Sequence, residues 1–503
     1  MAKYDFVIVQ AYTRIKMKEF KLLVISLLLF GCKPSEDQKT TIAEITPMNQ
    51  AHIAHIEYGL YPIYNLEGYN NFKTIPQLMK EYGISGLSMA FVDSGKIAWT
   101  KCYGFADVKD SVKMGPATLL RAASLSKPMT AMAALHLVEE GKIKLNTDIN
   151  TYLKGWKLPE SEYTQDRKVN IADILAHRSG IKNDVHDGFR PDQSLPTLEE
   201  IFSGKTENEP IEMEFVPGDK RRYSNTGYMV LSELMQDVEE DRFEQIMKRI
   251  ILDPCKMSKS TFSQELTKDQ RTNVAQGYDE NLNEVSYYKH ASAGAGALWS
   301  TPSDIGLFLA EIMKTYHEPN YQGKIISHDM ALKVFDTSNQ TLGFNKSIDG
   351  KNFVFRHDGS IPGFNCTFMG SLNNNQAVVV MLNTGSELAY DFLVHLSRAV
   401  CKEYAWGMYE PEYYAFSPKG PEELKKFAGV YSNGDDSLEV ILNYELIEFR
   451  NARWGHQSLI PVSDSEFINT KFPVKFEFGF ENGKVKGVYV RDERGDGEWY
   501  ELR

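Results

Sequence analysis

Runs of apolar residues predict β-strands near both ends of a large central region. From Gly83 the chain reads GISGLSMAFVDSGKIAWTKCYGFAD, in which the DSG step at 93–95 separates two apolar runs and predicts a hairpin. The later stretches NFVFRHDG, FNCTFMGS and QAVVVMLNT predict three further strands, with a turn at 373–375 before the last. A helical pattern follows from Glu387 to about Tyr404.

Helical patterns dominate the region between the two groups of strands. A long Ala- and Met-rich helix is predicted from about Leu125, and IADILAHRSGI and YMVLSELMQDVEE continue the pattern. Strands early, helices in the middle and strands late predict an antiparallel sheet that is assembled from both ends of one domain. The expected fold class is therefore α+β, an antiparallel sheet flanked by helices, with an all-helical lobe.

The C-terminal residues predict a separate β unit after the breaker cluster SPKGP at 417–421. FPVKFEFGF alternates apolar and polar residues, and Asn482-Gly483 turns it into KVKGVYV, as expected of strands with one buried face. With the short strands that precede them, about eight strands are expected, enough to close a small barrel.

The N-terminus has the layout of an export signal. From Met17, two lysines precede a nine-residue apolar run, Leu22 to Phe30, which is too short to span a bilayer. The Gly31-Cys32 step that follows resembles a bacterial lipobox, whose cysteine is acylated and becomes the mature N-terminus. We therefore expect an exported protein, lipid-anchored at the bacterial cell envelope in the periplasm, outer membrane or cell surface. Met17 is an alternative start, and the competing interpretation is a hydrophobic N-terminal helix of a cytosolic protein.

A chain of 503 residues exceeds the usual size of one hydrophobic core, so more than one folded unit is expected. The predicted segments are a signal peptide with lipobox (1–32), a tether and leading segment (33–72), a large α+β domain (73–407), a linker (408–420) and a C-terminal β domain (421–503).

Charge and cysteine usage narrow the class of partner. The net charge of -12 and the pI near 5.5 argue against nucleic acid, because phosphate binding requires a positive face. A small-molecule or short-peptide substrate fits better, and a monomer is expected.

His52 and His55 could share a helix face without a third ligand nearby, so no metal site is predicted. The remaining cysteines show no paired spacing that predicts zinc or a disulfide framework, namely Cys102, Cys255, Cys366 and Cys401.

A Ser-Leu-Ser-Lys step, Ser124 to Lys127, lies where the buried helix begins. The free amides and the positive end of the helix dipole stabilise negative charge beside Ser124. Lys127 lies three residues on, on the same face. Because burial disfavours a charged amine, we expect Lys127 to accept a proton from the serine. The competing interpretation is a capping serine and a surface lysine, since this pattern recurs by chance.

Two further motifs favour the catalytic interpretation. RRYSNTGY contains Tyr223-Ser224-Asn225, and FRHDGS contains His357 to Ser360 at a strand end. With SGKIAWTKCYGFAD, LAHRSGI, AGAGALWSTPSDIGLF and HDGSIPGFNC, the region from about Ile75 to Ala405 resembles the serine β-lactamase and penicillin-binding-protein superfamily. The resemblance is greatest to the branch of class C β-lactamases, D-Ala-D-Ala carboxypeptidases, D-aminopeptidases and esterases.

The resemblance implies a serine hydrolase that forms an acyl-enzyme and needs no cofactor. Ser124 would be the nucleophile, and Lys127 and Tyr223 would share the role of base, with a positive neighbour lowering the pKa of the phenol. Asn225 would bind the acyl-side amide of a peptide-like substrate. His357 would occupy the place of the third-motif lysine, near the far end of the substrate. Competing interpretations are core packing for Tyr223, a helix cap for Asn225 and a surface position for His357.

The third motif would also complete the oxyanion hole. The backbone amides of Ser124 and Ser360 would be its donors, and Gly359 would give the carbonyl close access. Asp358 replaces the usual Thr or Ser, and a carboxylate there would repel a substrate carboxylate, which favours esters, amides or D-aminoacyl groups. Alternatively, Asp358 points away from the cleft and pairs with an arginine.

The resemblance leaves three activities open. The first is hydrolysis of D-aminoacyl or D-Ala peptide bonds related to the cell wall. The second is a carboxylesterase or transacylase activity, and the third is a non-catalytic penicillin-binding sensor. The C-terminal β domain resembles the lipocalin-like domain of some members of the branch, for which a lid or gating role is a hypothesis.

Overall fold

The computed structural model describes residues 46–183, 188–337, 341–349, 352–434, 436–452, 455–470, 474–492 and 497–503. The predicted signal peptide, the lipobox Cys32 and the tether residues before 46 lie outside these ranges. Within them, every helix is too short or too polar to cross a bilayer.

The helices and strands follow the predicted order. The α-helices are α1 (Pro47–Tyr58), α2 (Ile75–Glu81), α3 (Ser126–Glu139), α4 (Ile171–Leu175), α5 (Leu198–Phe202), α6 (Asn225–Glu239), α7 (Phe243–Met247), α8 (Lys268–Arg271), α9 (Pro302–His317), α10 (His328–Phe335), α11 (Glu387–Glu403) and α12 (Pro421–Leu424). The main unit precedes the C-terminal β unit, and we call it the hydrolase region after the resemblance described above. Its strands are β1 (Tyr64–Leu66), β2 (Gly86–Asp93), β3 (Lys96–Asp107), β4 (Val112–Lys113), β5 (Leu120–Arg121), β6 (Gly188–Phe189), β7 (Lys289–His290), β8 (Trp299–Ser300), β9 (Asn345–Asp349), β10 (Asn352–Ile361), β11 (Phe364–Ser371), β12 (Gln376–Leu382) and β13 (Glu412–Tyr414). The C-terminal strands are β14 (Gly429–Ser432), β15 (Ser437–Asn443), β16 (Leu446–Asn451), β17 (Gly455–Pro461), β18 (Glu466–Asn469), β19 (Val474–Glu481), β20 (Lys484–Arg491) and β21 (Gly497–Leu502).

A seven-stranded sheet forms the centre of the hydrolase region, in the order β4-β3-β2-β12-β11-β10-β9. The early strand β2 pairs antiparallel with the late strand β12, so both ends of the domain build one sheet, as predicted. The hairpin between β2 and β3 is confirmed, with Ser94 and Gly95 at φ of 50° and 75°. The α+β prediction is therefore confirmed.

Each face of the sheet is covered by helices and has its own core. On one side, α3, α6 and α9 contribute to a large cluster that also includes the helical lobe. On the other side, α11 packs on β11 and β12, and α1 packs on α11. The predicted helix at 387–404 is confirmed as α11.

The residues on either side of the hydrolase core are themselves folded. In the described part of the segment predicted as a tether, β1 pairs in parallel with β13, which lies in the segment predicted as a linker. Tyr64 of β1 is fully buried, and its ring lies 6.4 Å from that of Tyr414. Burial of such aromatic side chains orders this segment, although its polar composition suggested a tether.

The C-terminal unit is a closed barrel of eight strands, β14 to β21, which confirms the prediction. Its interior is filled by aromatic and aliphatic side chains. Phe427 enters from a 3-10 turn, with its ring 4.8 Å from Phe467 and 4.7 Å from Phe478. The barrel also contacts the hydrolase region, because Asn71 Nδ2 donates to the Thr470 carbonyl at 2.9 Å.

The four cysteines of the described chain are free thiols. Cys255, Cys366 and Cys401 are buried, and Cys102 is half-buried. Burial raises the pKa of all four thiols above the ordinary value. These cysteines therefore remain protonated and unreactive at neutral pH.

Candidate active site

Ser124 lies in a tight turn directly before α3. A 3-10 turn, Ala123–Leu125, precedes the helix, which starts at Ser126. Ala123 has a φ of 44°, in the left-handed region that non-glycine residues rarely adopt. The turn is held by Ser126 Oγ, which donates to the Ala123 carbonyl at 2.7 Å. This strained turn places the half-buried Ser124 at the mouth of α3.

Lys127 is fully buried beneath the serine. Its Nζ lies 3.0 Å from Ser124 Oγ. It also donates to Asn225 Oδ1 and to the Ala295 carbonyl, both at 2.7 Å. The amine is therefore held on the serine by acceptors from two distant segments of the chain.

Tyr223 closes the other side of the serine. Its hydroxyl donates to Ser124 Oγ at 2.8 Å, and Lys127 Nζ lies 4.9 Å from the centre of its ring. Burial raises the pKa of Tyr223 to about 12, and the hydrogen bond with Ser124 opposes this shift only in part. The expectation that a positive neighbour lowers this pKa is not met, because desolvation is the larger effect. Tyr223 is therefore a neutral phenol at neutral pH.

These contacts define a path for a proton. The Tyr223 phenol and the Lys127 amine both donate to Ser124 Oγ. Together with Asn225 Oδ1 and the Ala295 carbonyl, Ser124 Oγ gives Lys127 three acceptors, which match the three hydrogens of a charged ammonium. Once this amine has lost one proton, it can accept the proton of the serine hydroxyl. The arrangement fits an activated serine nucleophile whose proton passes to the lysine.

Asn225 is the exposed first residue of α6. Its side-chain oxygen accepts from Lys127, while its backbone N–H donates to Asn183 Oδ1 at 2.5 Å. The cap of the helix is instead Ser224, whose Oγ accepts from the Gly227 N–H at 3.0 Å. Asn225 therefore orients the lysine from an exposed position.

The third motif lies on β10, which passes directly beside the nucleophile turn. A Cβ added to Gly359 would lie 3.2 Å from Ser124 N and 2.8 Å from the Ala122 carbonyl oxygen, so only glycine fits. Ser360 follows at an exposed position. Gly359 is therefore in close contact with the nucleophile turn, and Ser360, the second predicted oxyanion donor, is the next residue along the strand.

His357 is buried on the same strand, 4% exposed. Its Nδ1 lies 2.8 Å from the Asp358 carbonyl oxygen. Burial, together with the positive charge of Lys127, lowers the pKa of His357 to about 4. His357 is therefore a neutral imidazole near the lysine, and it adds no positive charge at neutral pH.

Asp358 is not brought to the serine with the other motif residues. Its carboxylate accepts from Thr367 Oγ1 at 2.7 Å and from the Tyr390 hydroxyl at 2.9 Å, on the side of the sheet covered by α11. Successive side chains of a strand point to opposite faces, so Asp358 faces away when His357 and Gly359 face the nucleophile turn. The alternative in which Asp358 points away from the cleft is the one observed.

Three residues that the motifs did not single out also belong to the site. Ala295 supplies a carbonyl to Lys127, Asn183 holds the backbone of Asn225, and His177 packs against Tyr223 with ring centres 4.4 Å apart. His177 and Ala295 lie in LAHRSGI and AGAGALWSTPSDIGLF, where the sequence supported the family resemblance without assigning roles.

The fold and the serine-lysine-tyrosine cluster define a serine hydrolase of the β-lactamase and penicillin-binding class. The family described as Beta-lactamase matches residues 72–400, so the chain belongs to this family. The resemblance inferred from the motifs is therefore confirmed.

Relatives share the hydrolase region at low identity. Protein flp of Staphylococcus aureus (strain N315) is 24% identical over 338 residues, which cover 65% of each chain. A Bacillus subtilis (strain 168) protein named as penicillin-binding protein PbpX is 24% identical over 318 residues, 61% of this chain and 72% of PbpX. The solved structure of the octameric penicillin-binding protein homologue from Pyrococcus abyssi has a TM-score of 0.57 at 20% identity and covers 85% of this chain and 98% of that one.

Proposed function

We propose that the protein hydrolyses amide or ester bonds of small peptide-like substrates of the D-aminoacyl or D-Ala type through an acyl-enzyme. The observation that carries this proposal is the position of Ser124 Oγ, 3.0 Å from Lys127 Nζ and 2.8 Å from the Tyr223 hydroxyl. Few arrangements other than nucleophilic catalysis give a serine both a buried amine and a phenol.

The reaction follows from these positions. Ser124 Oγ bonds to the substrate carbonyl carbon while its proton passes to Lys127, and the carbonyl oxygen becomes an anion held by the amides of Ser124 and Ser360. The bond to the leaving nitrogen or oxygen then breaks, and that atom takes the proton held jointly by Lys127 and Tyr223. Water attacks the resulting ester and regenerates the serine.

Charges around the cleft favour a substrate that carries a carboxylate. Asp358 is turned away toward Thr367 and Tyr390, so the repulsion expected from the sequence is weakened. Arg221 lies close enough to lower the pKa of both Tyr223 and His357, and its Nη2 donates to Asn345 Oδ1 at 3.0 Å. A D-amino acid end group fits this reasoning, and a structure of similar fold, SurE, has been solved with D-Leu.

A fluorophosphonate probe and a fluorescent penicillin, followed by intact mass over time, test the proposal. The fluorophosphonate phosphonylates a reactive serine irreversibly, so it reports the nucleophile alone. Rapid loss of the penicillin adduct supports hydrolysis, whereas a permanent penicillin adduct supports the sensor alternative. Wild-type protein that takes no label contradicts the assignment of Ser124. The control is S124A, which should fold and remain unlabelled.

A substrate panel then tests which bond is cleaved. D-alanyl esters, D-aminoacyl amides and a chromogenic cephalosporin are compared by kcat/KM. Preference for D-aminoacyl amides supports the peptide-like class, and activity confined to esters supports the carboxylesterase or transacylase alternative.

We also propose that the protein is exported and anchored at the bacterial cell envelope through lipid on Cys32. The apolar run before Gly31-Cys32 supports this. Metabolic labelling with an alkyne fatty acid should mark the wild-type protein and not C32S. Equal labelling of the two contradicts the anchor.

A further inference from the structure

His177 contacts the active site from outside the three catalytic motifs. It is 6% exposed and has a φ of 56°, a strained conformation for a residue with a side chain. It follows α4 and lies in the LAHRSGI stretch, far in sequence from the serine and the tyrosine. A buried, strained histidine beside a reactive group calls for a physical explanation.

Two hydrogen bonds tie His177 to the backbone on both sides of Tyr223. Its Nδ1 accepts from the Ser224 N–H at 3.2 Å, and its carbonyl oxygen accepts from the Arg222 N–H at 2.8 Å. Because Nδ1 accepts, the proton of the neutral ring is on Nε2. His177 thereby fixes the short segment from which the Tyr223 side chain projects.

The ring of His177 also covers one face of the phenol. The ring centres of His177 and Tyr223 are 4.4 Å apart at an interplanar angle of 31°. Burial, followed by the positive charges of Lys127 and Arg221 and by His357, lowers the pKa of His177 to about 2. The ring thus stays neutral, adds no charge beside Lys127 and keeps water from the phenol.

We propose that His177 is a positioning residue for acylation, which holds the Tyr223 phenol on Ser124 Oγ and shields it from water. This inference rests on the proposed serine hydrolase function. Under this proposal His177 has two separable actions. Its Nδ1 and its backbone carbonyl set the position of Tyr223, and its ring limits the access of water to the Tyr223 phenol.

Two variants separate these actions. H177N keeps a side-chain acceptor at a similar position and tolerates a positive φ, but it uncovers Tyr223. H177F keeps a ring against Tyr223 but leaves the buried Ser224 N–H without its acceptor. The matched control is H395N, which removes another buried histidine, 4% exposed, from the opposite side of the sheet.

The measured quantity is the rate constant of fluorophosphonate labelling per active serine. It is determined at several pH values between about 6 and 11, which are reached by a rapid pH jump at the moment the probe is added. We expect H177F to label at least about 10-fold more slowly at pH 7, consistent with the cost of a misplaced catalytic group. We expect H177N to label faster than H177F at pH 7, because its side chain can still accept from the Ser224 N–H. As the pH rises, the labelling rate of H177N should change, up or down, at a lower pH than the rate of wild type does. The reason is that water around the uncovered phenol returns the pKa of Tyr223 toward 10.0 from about 12.

Because the rate constants are normalised to the amount of active serine, they distinguish a positioning role of His177 from a role in packing and stability alone. If both variants only lose stability and keep the wild-type rate and pH profile, the proposal is overturned. If H177F is recovered unfolded, the alkaline profile of H177N decides alone. Wild-type protein that takes no label at any pH overturns the hydrolase function and this inference together, whereas labelled wild type with unaltered variants overturns this inference only.

Discussion

Ser124 has a buried amine on one side and a phenol on the other, and the histidines His177 and His357 surround them. The sequence named the serine, the lysine and the tyrosine that the structure brings together, and it did so through three motifs that resemble one family, since the Ser-x-x-Lys spacing alone recurs by chance. It gave the wrong direction for the pKa of Tyr223, since a list of residues does not show how deeply a phenol is buried. The contribution of His177 was hidden for the same reason.

Replacing Lys127 with Met should slow fluorophosphonate labelling at pH 7 by at least about 100-fold, because the variant keeps the length of the side chain but has no atom to accept the serine proton. The control is K142M, at an exposed lysine paired with Glu239 and Glu140. Labelling of K127M at the wild-type rate would show that Tyr223 alone serves as the base.

The stability of the hydrolase region should fall as the pH is lowered from about 6.5 to 4, partly because of His357. The unfolded chain protonates this histidine near 6.5, while the folded state resists protonation until about 4, so the unfolded state binds more protons in this window. Across the window, wild type should lose roughly 3 kcal/mol more of its free energy of unfolding than H357N. Urea unfolding at several pH values measures this difference, and parallel curves for the two proteins would contradict it.

At the scale of elements, strand β10 presents active-site residues on one face and a residue that packs toward α11 on the other. His357 and Gly359 face the nucleophile turn, and Asp358 faces Tyr390 on α11. The sequence predicted the strand correctly but left open which way Asp358 points. The direction of the Asp358 side chain depends on which face of β10 contacts the turn before α3. This contact joins residues far apart in the sequence, so the local pattern does not predict it.

Replacing Gly359 with Ala should slow acylation by about 100-fold or more. The added Cβ would lie 2.6 Å from Cys366 Sγ and 3.2 Å from Ser124 N, so β10 must move away from the serine and the oxyanion donors separate. G115A is the matched control, because its nearest neighbour, Thr118 Oγ1, is 3.7 Å from the added atom. Stopped-flow labelling compares the two, and equal rates would contradict the close approach.

Replacing Asp358 with Asn should leave the preference for carboxylate substrates unchanged, because the side chain faces away from the cleft. The measured quantity is the ratio of kcat/KM for a D-alanyl substrate to that for its neutral amide. R221Q should lower the same ratio by about 3- to 10-fold, as expected for loss of one partly exposed charge interaction. A rise in the ratio for D358N would indicate that the aspartate does repel the substrate.

The whole molecule is built from a hydrolase region with two helix-covered cores and a barrel with a core of its own. The sequence predicted both units, because alternation and turn residues are local signals. It did not predict the pairing of β1 with β13, which joins residues about 350 positions apart and depends on burial of Tyr64.

Replacing Phe427 with Ala should destabilise the barrel by about 3–5 kcal/mol, since this side chain is fully buried among aromatic rings. Scanning calorimetry should show one unfolding transition moving to lower temperature while the transition of the hydrolase region stays in place. The labelling rate of Ser124 should not change at temperatures where both units are folded. A slower or faster rate would instead favour the gating role suggested for the barrel.

The shielded thiols have a practical consequence for studying how these two units move. Since burial keeps Cys102, Cys255, Cys366 and Cys401 protonated, a maleimide dye should react far faster with a cysteine introduced at the surface. One such cysteine on the barrel and another on the helical lobe would accept a donor and an acceptor fluorophore without removal of these four native cysteines, once Cys32 has been replaced by serine. Single-molecule energy transfer could then follow the distance between the two units during turnover.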